Sequence, residues 1–199
     1  MQPTTGNICA NLIRDMGIIR SMCGISALFS LNCSHLPSTG IGLMTETLRH
    51  RCSDDEGHAF VYPDSIEYHV FAGKDTPKSV LGAPFPYAPC QVLEDQDTRI
   101  APVALGHRRL SIIDLTPAGH QPMCYGNTRY WIVFNGEIYN FRGLRADLEK
   151  LGHFFTSKSD TEVVLASCAE WGESCLERFN GMWAFSLIGP GEEETLCRT

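Results

Sequence analysis

The sequence has no CxxC pair among its nine cysteines, no G-x-G-x-x-G or Walker-type loop, no long apolar run and no excess of basic residues. Without CxxC pairs a tetrahedral zinc framework has no support, and nucleotide binding has no motif to rest on. A membrane helix needs roughly 18 or more consecutive apolar residues, and no stretch approaches that. The opening MQPTTGNICANLIRDMGIIRS interrupts its short apolar pieces with Arg and Asp, which makes it a poor signal peptide. Lys and Arg number 16 against 23 Asp and Glu, a net charge of −7. That balance argues against nucleic acid or an anionic membrane as a partner, because both need clustered positive charge. Repeats and low-complexity tracts are also absent.

What is present is a chain of 199 residues, 43% hydrophobic, enough to bury the core of one globular domain. With no secretory signal, the cysteines are expected to be small buried residues or neutral thiols of a cytoplasmic protein rather than a disulfide scaffold. Residues 24–31 (GISALFSL) are short, partly alternating and Gly-led, the pattern of a strand. A helix is expected over 38–50, with Leu43, Met44, Thr47 and Leu48 on one face. Strand-like runs recur at 59–62, 66–71, 103–105, 110–115 and 130–134. Between 73 and 102 five prolines and no sustained periodicity predict a long surface loop. Phe141, Leu144, Leu148 and Leu151 stand at helical spacing before Gly152. Ser159 and Glu162 form an S-x-x-E capping box opening a helix to Trp171. A short helix at 175–179 then leads to a strand at 182–188. Short connections between these elements favour antiparallel pairing in an α+β architecture.

The chemically suggestive residue is Cys23, directly behind Met22. In a chain beginning at Cys23, the α-amine, with a reference pKa of about 7.7–8.0, could take the thiol proton without a histidine. The competing reading is a buried Cys at a strand start. Asn135-Gly136 likewise reads either as a pair of oxyanion donors or as a tight turn ending the strand.

Several segments carry a resemblance: MCGI at 22–25, GHRRLSIIDL at 106–115, AGHQPM at 118–123, FNGEIYN at 134–140, SDTEVVL at 159–165 and FNGMWAF at 179–185. Together they resemble the glutaminase domain of the glutamine-hydrolysing asparagine synthetase family, a class II glutamine amidotransferase. The resemblance implies an N-terminal nucleophile hydrolase fold, a four-layer α/β/β/α sandwich of antiparallel sheets. It also implies hydrolysis of L-glutamine to L-glutamate and ammonia through a thioester on Cys23, with Asn135 and Gly136 holding the oxyanion. Arg109, rather than Arg108, matches the carboxylate clamp. The backbone of Leu110, Ser111, Ile112 and Ile113 would line the same pocket, and Glu137 and Asp160 would hold the ammonium end. For Asp160, helix-terminus electrostatics compete with that role. His107 and His120 are expected to be hydrogen-bonded structure, and Trp171, Trp183 and Phe185 to be core.

By the same resemblance no cofactor belongs to this chain, since ATP and Mg serve a synthetase domain that would receive the ammonia for asparagine synthesis. A homodimer is compatible with this reading. Residues 1–22 are expected to be a leader or a mis-assigned start, and 23–199 an amidotransferase domain lacking its last strands. The family's RHRGPD is RHRCSD here (49–54), with Cys52 and Ser53 for Gly and Pro, and this places the nearby pocket's geometry in question. AGKDTP (72–77) and PYAP (86–89) resemble a bacterial branch some of whose members amidate acceptors other than aspartate. Two further readings therefore stay open: a non-catalytic truncated remnant, and ammonia supply to a sugar-acid acceptor.

Overall fold

The computed structural model describes residues 22–30, 36–65, 67–94, 100–189 and 195–198. The proposed leader, apart from Met22, lies outside them. Among the described residues ten strands and three α-helices follow in order: β1 (Gly24–Phe29), β2 (Leu36–Pro37), α1 (Ser38–Thr47), β3 (Asp55–Tyr62), β4 (Glu67–Ala72), β5 (Ile100–Ala101), β6 (Val103–Arg109), β7 (Met123–Tyr125), β8 (Tyr130–Ile138), α2 (Phe141–Lys150), α3 (Asp160–Trp171), β9 (Gly181–Ile188) and β10 (Thr195–Arg198). They form two four-stranded sheets, ordered β1-β6-β3-β4 and β10-β9-β8-β7, plus the small β2-β5 pair. Every ladder between these strands is antiparallel.

Alternation along the strands explains the layering. In the first sheet Ala59, Val61, Val103 and Leu105 enter the main core with Trp131, Ile132, Val133 and Phe134 of the second sheet. The intervening Phe60 and Ala104 pack with Ile41 of α1 on the opposite face. Beyond the second sheet, Leu144 and Leu148 of α2 and Val163 to Ala166 of α3 close the same core. The layers are thus α1, sheet, sheet, and α2 with α3, as the four-layer expectation requires.

Several local expectations need correction. The predicted strand at 110–115 is a loop, because its main-chain donors find side chains instead of a ladder: Leu110 N–H meets Cys23 Sγ at 3.2 Å and Ser111 N–H meets Asp54 Oδ2 at 3.1 Å. In α1 the inward residues are Ile41 and Thr45, while Leu43 is 70% exposed. Thr45 can be buried because its hydroxyl bonds Ile41 O and Ser26 Oγ, both at 2.8 Å. The 73–102 segment is not purely surface: Val80, Tyr87 and Ala88 are buried, and the Tyr87 hydroxyl donates to Ala118 O at 2.6 Å. The short helix at 175–179 is a 3-10 turn spanning Gly172–Arg178. Asn135-Gly136 is no turn, since β8 runs through both and pairs them with Ala184 and Trp183.

The capping box is half formed. Ser159 Oγ accepts the Glu162 N–H, but the Glu162 carboxylate turns to Thr156 and Ser157. Trp171 and Trp183 are partly buried against the core that Phe185 enters. Cys23, Cys52, Cys90, Cys124, Cys168 and Cys175 are free thiols. No helix among the described residues is long and apolar enough to cross a membrane.

Candidate active site

One end of the two-sheet sandwich opens into a cavity of about 380 Å³, within the usual range for small-molecule sites. Its wall contains Cys23 just before β1, Arg109 at the end of β6, and Leu110, Ile112 and Ile113 from the loop after it. Asn135, Gly136 and Glu137 come from β8, and Asp160 from the start of α3. Nine of the ten residues singled out from the sequence therefore meet here. The tenth, Ser111, does not line the cavity, and its N–H is turned to the Asp54 carboxylate.

Arg108 and Arg109 are adjacent in β6, so their side chains leave on opposite faces. Arg108 goes under α1, fully buried, and pairs with Glu56 at 3.0 Å, Asp75 at 2.7 Å and Glu46 at 3.3 Å. Arg109 goes toward the second sheet and the cavity. Its guanidinium donates to Asp114 O and, at 3.3 Å, to Thr116 O, with the Asp55 carboxylate 4.0 Å away. Gly119 lies against it so closely that a Cβ would run into the guanidinium. Asp55 in turn holds His120 Nδ1 at 2.8 Å, while His107 Nε2 bonds Phe134 O at 3.0 Å. Both histidines are thus hydrogen-bonded parts of the structure. Neither is paired with Cys23.

Burial is the dominant influence on Cys23 and pushes its thiol above the ordinary value, against the Leu110 main-chain bond and the Arg109 charge. A neutral thiol therefore waits in the cavity and needs a base to act as a nucleophile.

Along β8 alternate residues turn their main-chain groups to opposite sides. Phe134 N–H goes to Gln121 Oε1 at 2.7 Å, and Ile138 N–H to Asp160 Oδ2 at 3.0 Å. Gly136 lies midway, so its N–H points the same way, off β9 and toward the cavity. A Cβ at Gly136 would sit 2.5 Å from both Met182 O and Trp183 Cα, which explains why a glycine stands there. Asp160 is buried, and that burial raises its carboxyl above the usual range despite the N–H donors around it; Glu137 adds to the effect.

Sequence reasoning missed Asp114, Gln121 and Thr161 of the same wall. Asp114 accepts from Thr116 N–H and Lys158 N–H, both at 2.8 Å, which ties the 110–116 loop to the start of α3. Burial opposes its ionisation, but these donors prevail and hold the carboxyl below its ordinary value. Asp114 and Gln121 stood inside quoted motifs, GHRRLSIIDL and AGHQPM, which was the available signal. Among the described residues no group of His, Cys, Asp and Glu could hold a metal ion.

Residues 95–198 match the family model described as the glutamine amidotransferase domain. The chain belongs to that family. Over 85 residues the amidotransferase domain is 49% identical to glutamine-hydrolysing asparagine synthetase 1 of Bacillus subtilis, covering 43% of this chain and 13% of that protein. A putative glutamine-hydrolysing asparagine synthetase 2 of Methanocaldococcus jannaschii is 29% identical over 190 residues, covering 88% of this chain and 29% of that one. The domain thus spans less than a third of either relative. Among solved structures it is similar in fold to the glutamine phosphoribosylpyrophosphate amidotransferase of B. subtilis complexed with ADP and GMP. That likeness has a TM-score of 0.57 at 20% identity and covers 85% of this chain and 35% of that one.

Proposed function

We propose that this amidotransferase domain hydrolyses L-glutamine to L-glutamate and ammonia. Cys23 Sγ attacks the side-chain amide carbon and expels ammonia as a glutamyl thioester forms, and water then releases glutamate and restores the thiol. The α-amine of Cys23, in a chain beginning there, takes the thiol proton and returns one to the leaving nitrogen. The Asn135 side-chain N–H₂ and the Gly136 N–H receive the oxyanion, and each such donor is worth about 10²–10³ in rate. Arg109 binds the α-carboxylate, for which a planar guanidinium offers two parallel donors. Glu137 and Asp160 hold the α-ammonium, with the main chain of Leu110 to Ile113 around the side chain. The observation that carries this reading is the convergence of Cys23, Arg109, Asp160 and the outward Gly136 edge on one cavity.

The ammonia acceptor is proposed to be aspartate, activated on a synthetase unit that supplies the ATP and Mg chemistry in the cytoplasm. The names of the similar proteins support this. The test starts translation at Met22, reads the processed N-terminus by mass spectrometry and measures glutamate release. Hydrolysis is expected, rising with pH through about 7.7–8.0 as the amine loses its proton. It should vanish in Cys23→Ala; hydrolysis surviving in that variant overturns the mechanism.

A further inference from the structure

We infer that Gln121 is a positioning residue: its side-chain amide ends the β7-β8 ladder so that the Gly136 N–H stays open to the cavity, and it ties that edge to the helix end bearing Asp160. The inference rests on the glutamine-hydrolysis reading above, which assigns Gly136 and Asp160 their roles.

The β7-β8 register pairs Tyr125 with Tyr130, Cys124 with Trp131 and Met123 with Ile132. Continued by two residues, it would set Gln121 opposite Phe134. Its main chain does not continue the ladder, which ends at Met123. Instead the Gln121 side chain takes the Phe134 N–H at 2.7 Å. The last ladder-side donor before Gly136 is thereby satisfied without a neighbouring strand, which would otherwise run on and cover the Gly136 N–H.

The other end of the same amide donates to Thr161 Oγ1 at 3.3 Å. Thr161 follows Asp160, whose Oδ2 takes the Ile138 N–H at 3.0 Å. The result is a closed frame running from Phe134 through Gln121, Thr161 and Asp160 back to Ile138, with Gly136 midway along its strand side. Gln121, Thr161 and Asp160 are all at most 5% exposed, so water does not compete for these bonds. The position needs one acceptor and one donor on a single planar group. Glutamine supplies both, ionised glutamate lacks the donor, and methionine lacks the donor and offers only a weak sulfur acceptor.

The test compares the full chain, its N-terminus read by mass spectrometry, with Gln121→Met, Thr161→Val, the double variant and Cys23→Ala. Gln121→Met should lower kcat about tenfold to hundredfold, the usual range when a partner that orients a reacting group is lost. KM should move far less, because the affected interaction is made in the transition state. Thr161→Val should cost less, and the double variant no more than Gln121→Met alone, since Gln121 carries both links. Amide hydrogen exchange at Phe134 should accelerate about tenfold in Gln121→Met and stay slow in Thr161→Val. A wild-type kcat and unchanged Phe134 exchange in Gln121→Met overturn the inference, as does a loss that only tracks the folded fraction seen by circular dichroism. If the wild-type chain does not hydrolyse glutamine, or Cys23→Ala still does, the parent reading fails instead. The Phe134 exchange then decides the positioning role by itself.

Discussion

Replacing Gly136 by alanine tests the joint between fold and site. The added Cβ would lie 2.5 Å from Met182 O and Trp183 Cα and 2.7 Å from Trp183 Cβ, where ordinary contact begins at 3.4 Å. The first two are main-chain atoms of β9 and cannot swing aside, so β8 and β9 must separate by roughly 1 Å to restore contact distances. Overpacking of this kind costs about 1–3 kcal/mol, which for a chain of this size lowers Tm by about 2–12 °C. The same displacement moves the Gly136 N–H, and an error of about 1 Å in a reacting geometry costs about 10²-fold in rate. Thermal unfolding and Cys23-dependent glutamine hydrolysis read the two effects separately. Gly143→Ala is the control: on α2 its Cβ meets nothing within 4 Å, so it should raise stability by about 1 kcal/mol and leave turnover alone. A Gly136→Ala protein with wild-type Tm and wild-type kcat would refute the reasoning.

Two further predictions concern titration. His58 and His107 are fully buried and their pKa values are lowered to about 3, chiefly by burial, so between about pH 6.5 and pH 3 the unfolded chain holds more protons than the folded one. Stability is therefore present above pH 6.5 and falls with acidification, by about 2 kcal/mol per histidine on going to pH 5; His58→Leu should make that limb shallower in urea titrations. Asp160 runs the other way, because burial raises its carboxyl, so its ionisation on raising the pH costs stability. Asp160→Asn can still accept the Ile138 N–H, so Tm at pH 7 should hold or rise while KM for glutamine increases; a fall in Tm with unchanged KM would contradict both halves.

The strands and helices that were legible in the sequence are those with one clear period. The partly alternating run that starts at Gly24 marks β1, the continuous strand-forming run 130–134 opens β8, and Phe141, Leu144 and Leu148 mark α2. The loop at 110–116 was misread because its Ile-Ile-Asp-Leu run has strand-forming side chains. Strand formation is decided by where the main-chain donors go, and these go to Cys23 and Asp54 from other parts of the chain and to Asp114 within the loop itself. The inward face of α1 was misplaced because Thr45 is buried by two hydroxyl bonds that hydropathy does not register. For the site, a period of two says that Arg108 and Arg109 diverge, but only the second sheet decides which of them reaches the cavity. Gln121 escaped notice because a side chain standing in for a strand has no periodic signature.

The one altered stretch beside the cavity, RHRCSD at 49–54, also has a physical answer. Cys52 is only 7% exposed, and its thiol donates to Arg109 O. Burial raises that thiol above its ordinary value, so it remains a neutral S–H donor near pH 7. On the opposite edge of the same peptide unit, the Leu110 N–H donates to Cys23 Sγ at 3.2 Å. Both polar groups of the Arg109–Leu110 peptide are thus held by sulfur, one by the proposed nucleophile and one by the residue that replaces glycine. A glycine at 52 has no side chain with which to make that bond, so the substitution adds an anchor to the peptide from which Arg109 projects. The stretch also keeps its terminal carboxylate, since Asp54 holds the Ser111 N–H at 3.1 Å. The loop around the proposed substrate is therefore fastened at Arg109 and at Ser111 by the segment that departs from the family pattern, and the departure is compatible with a formed pocket.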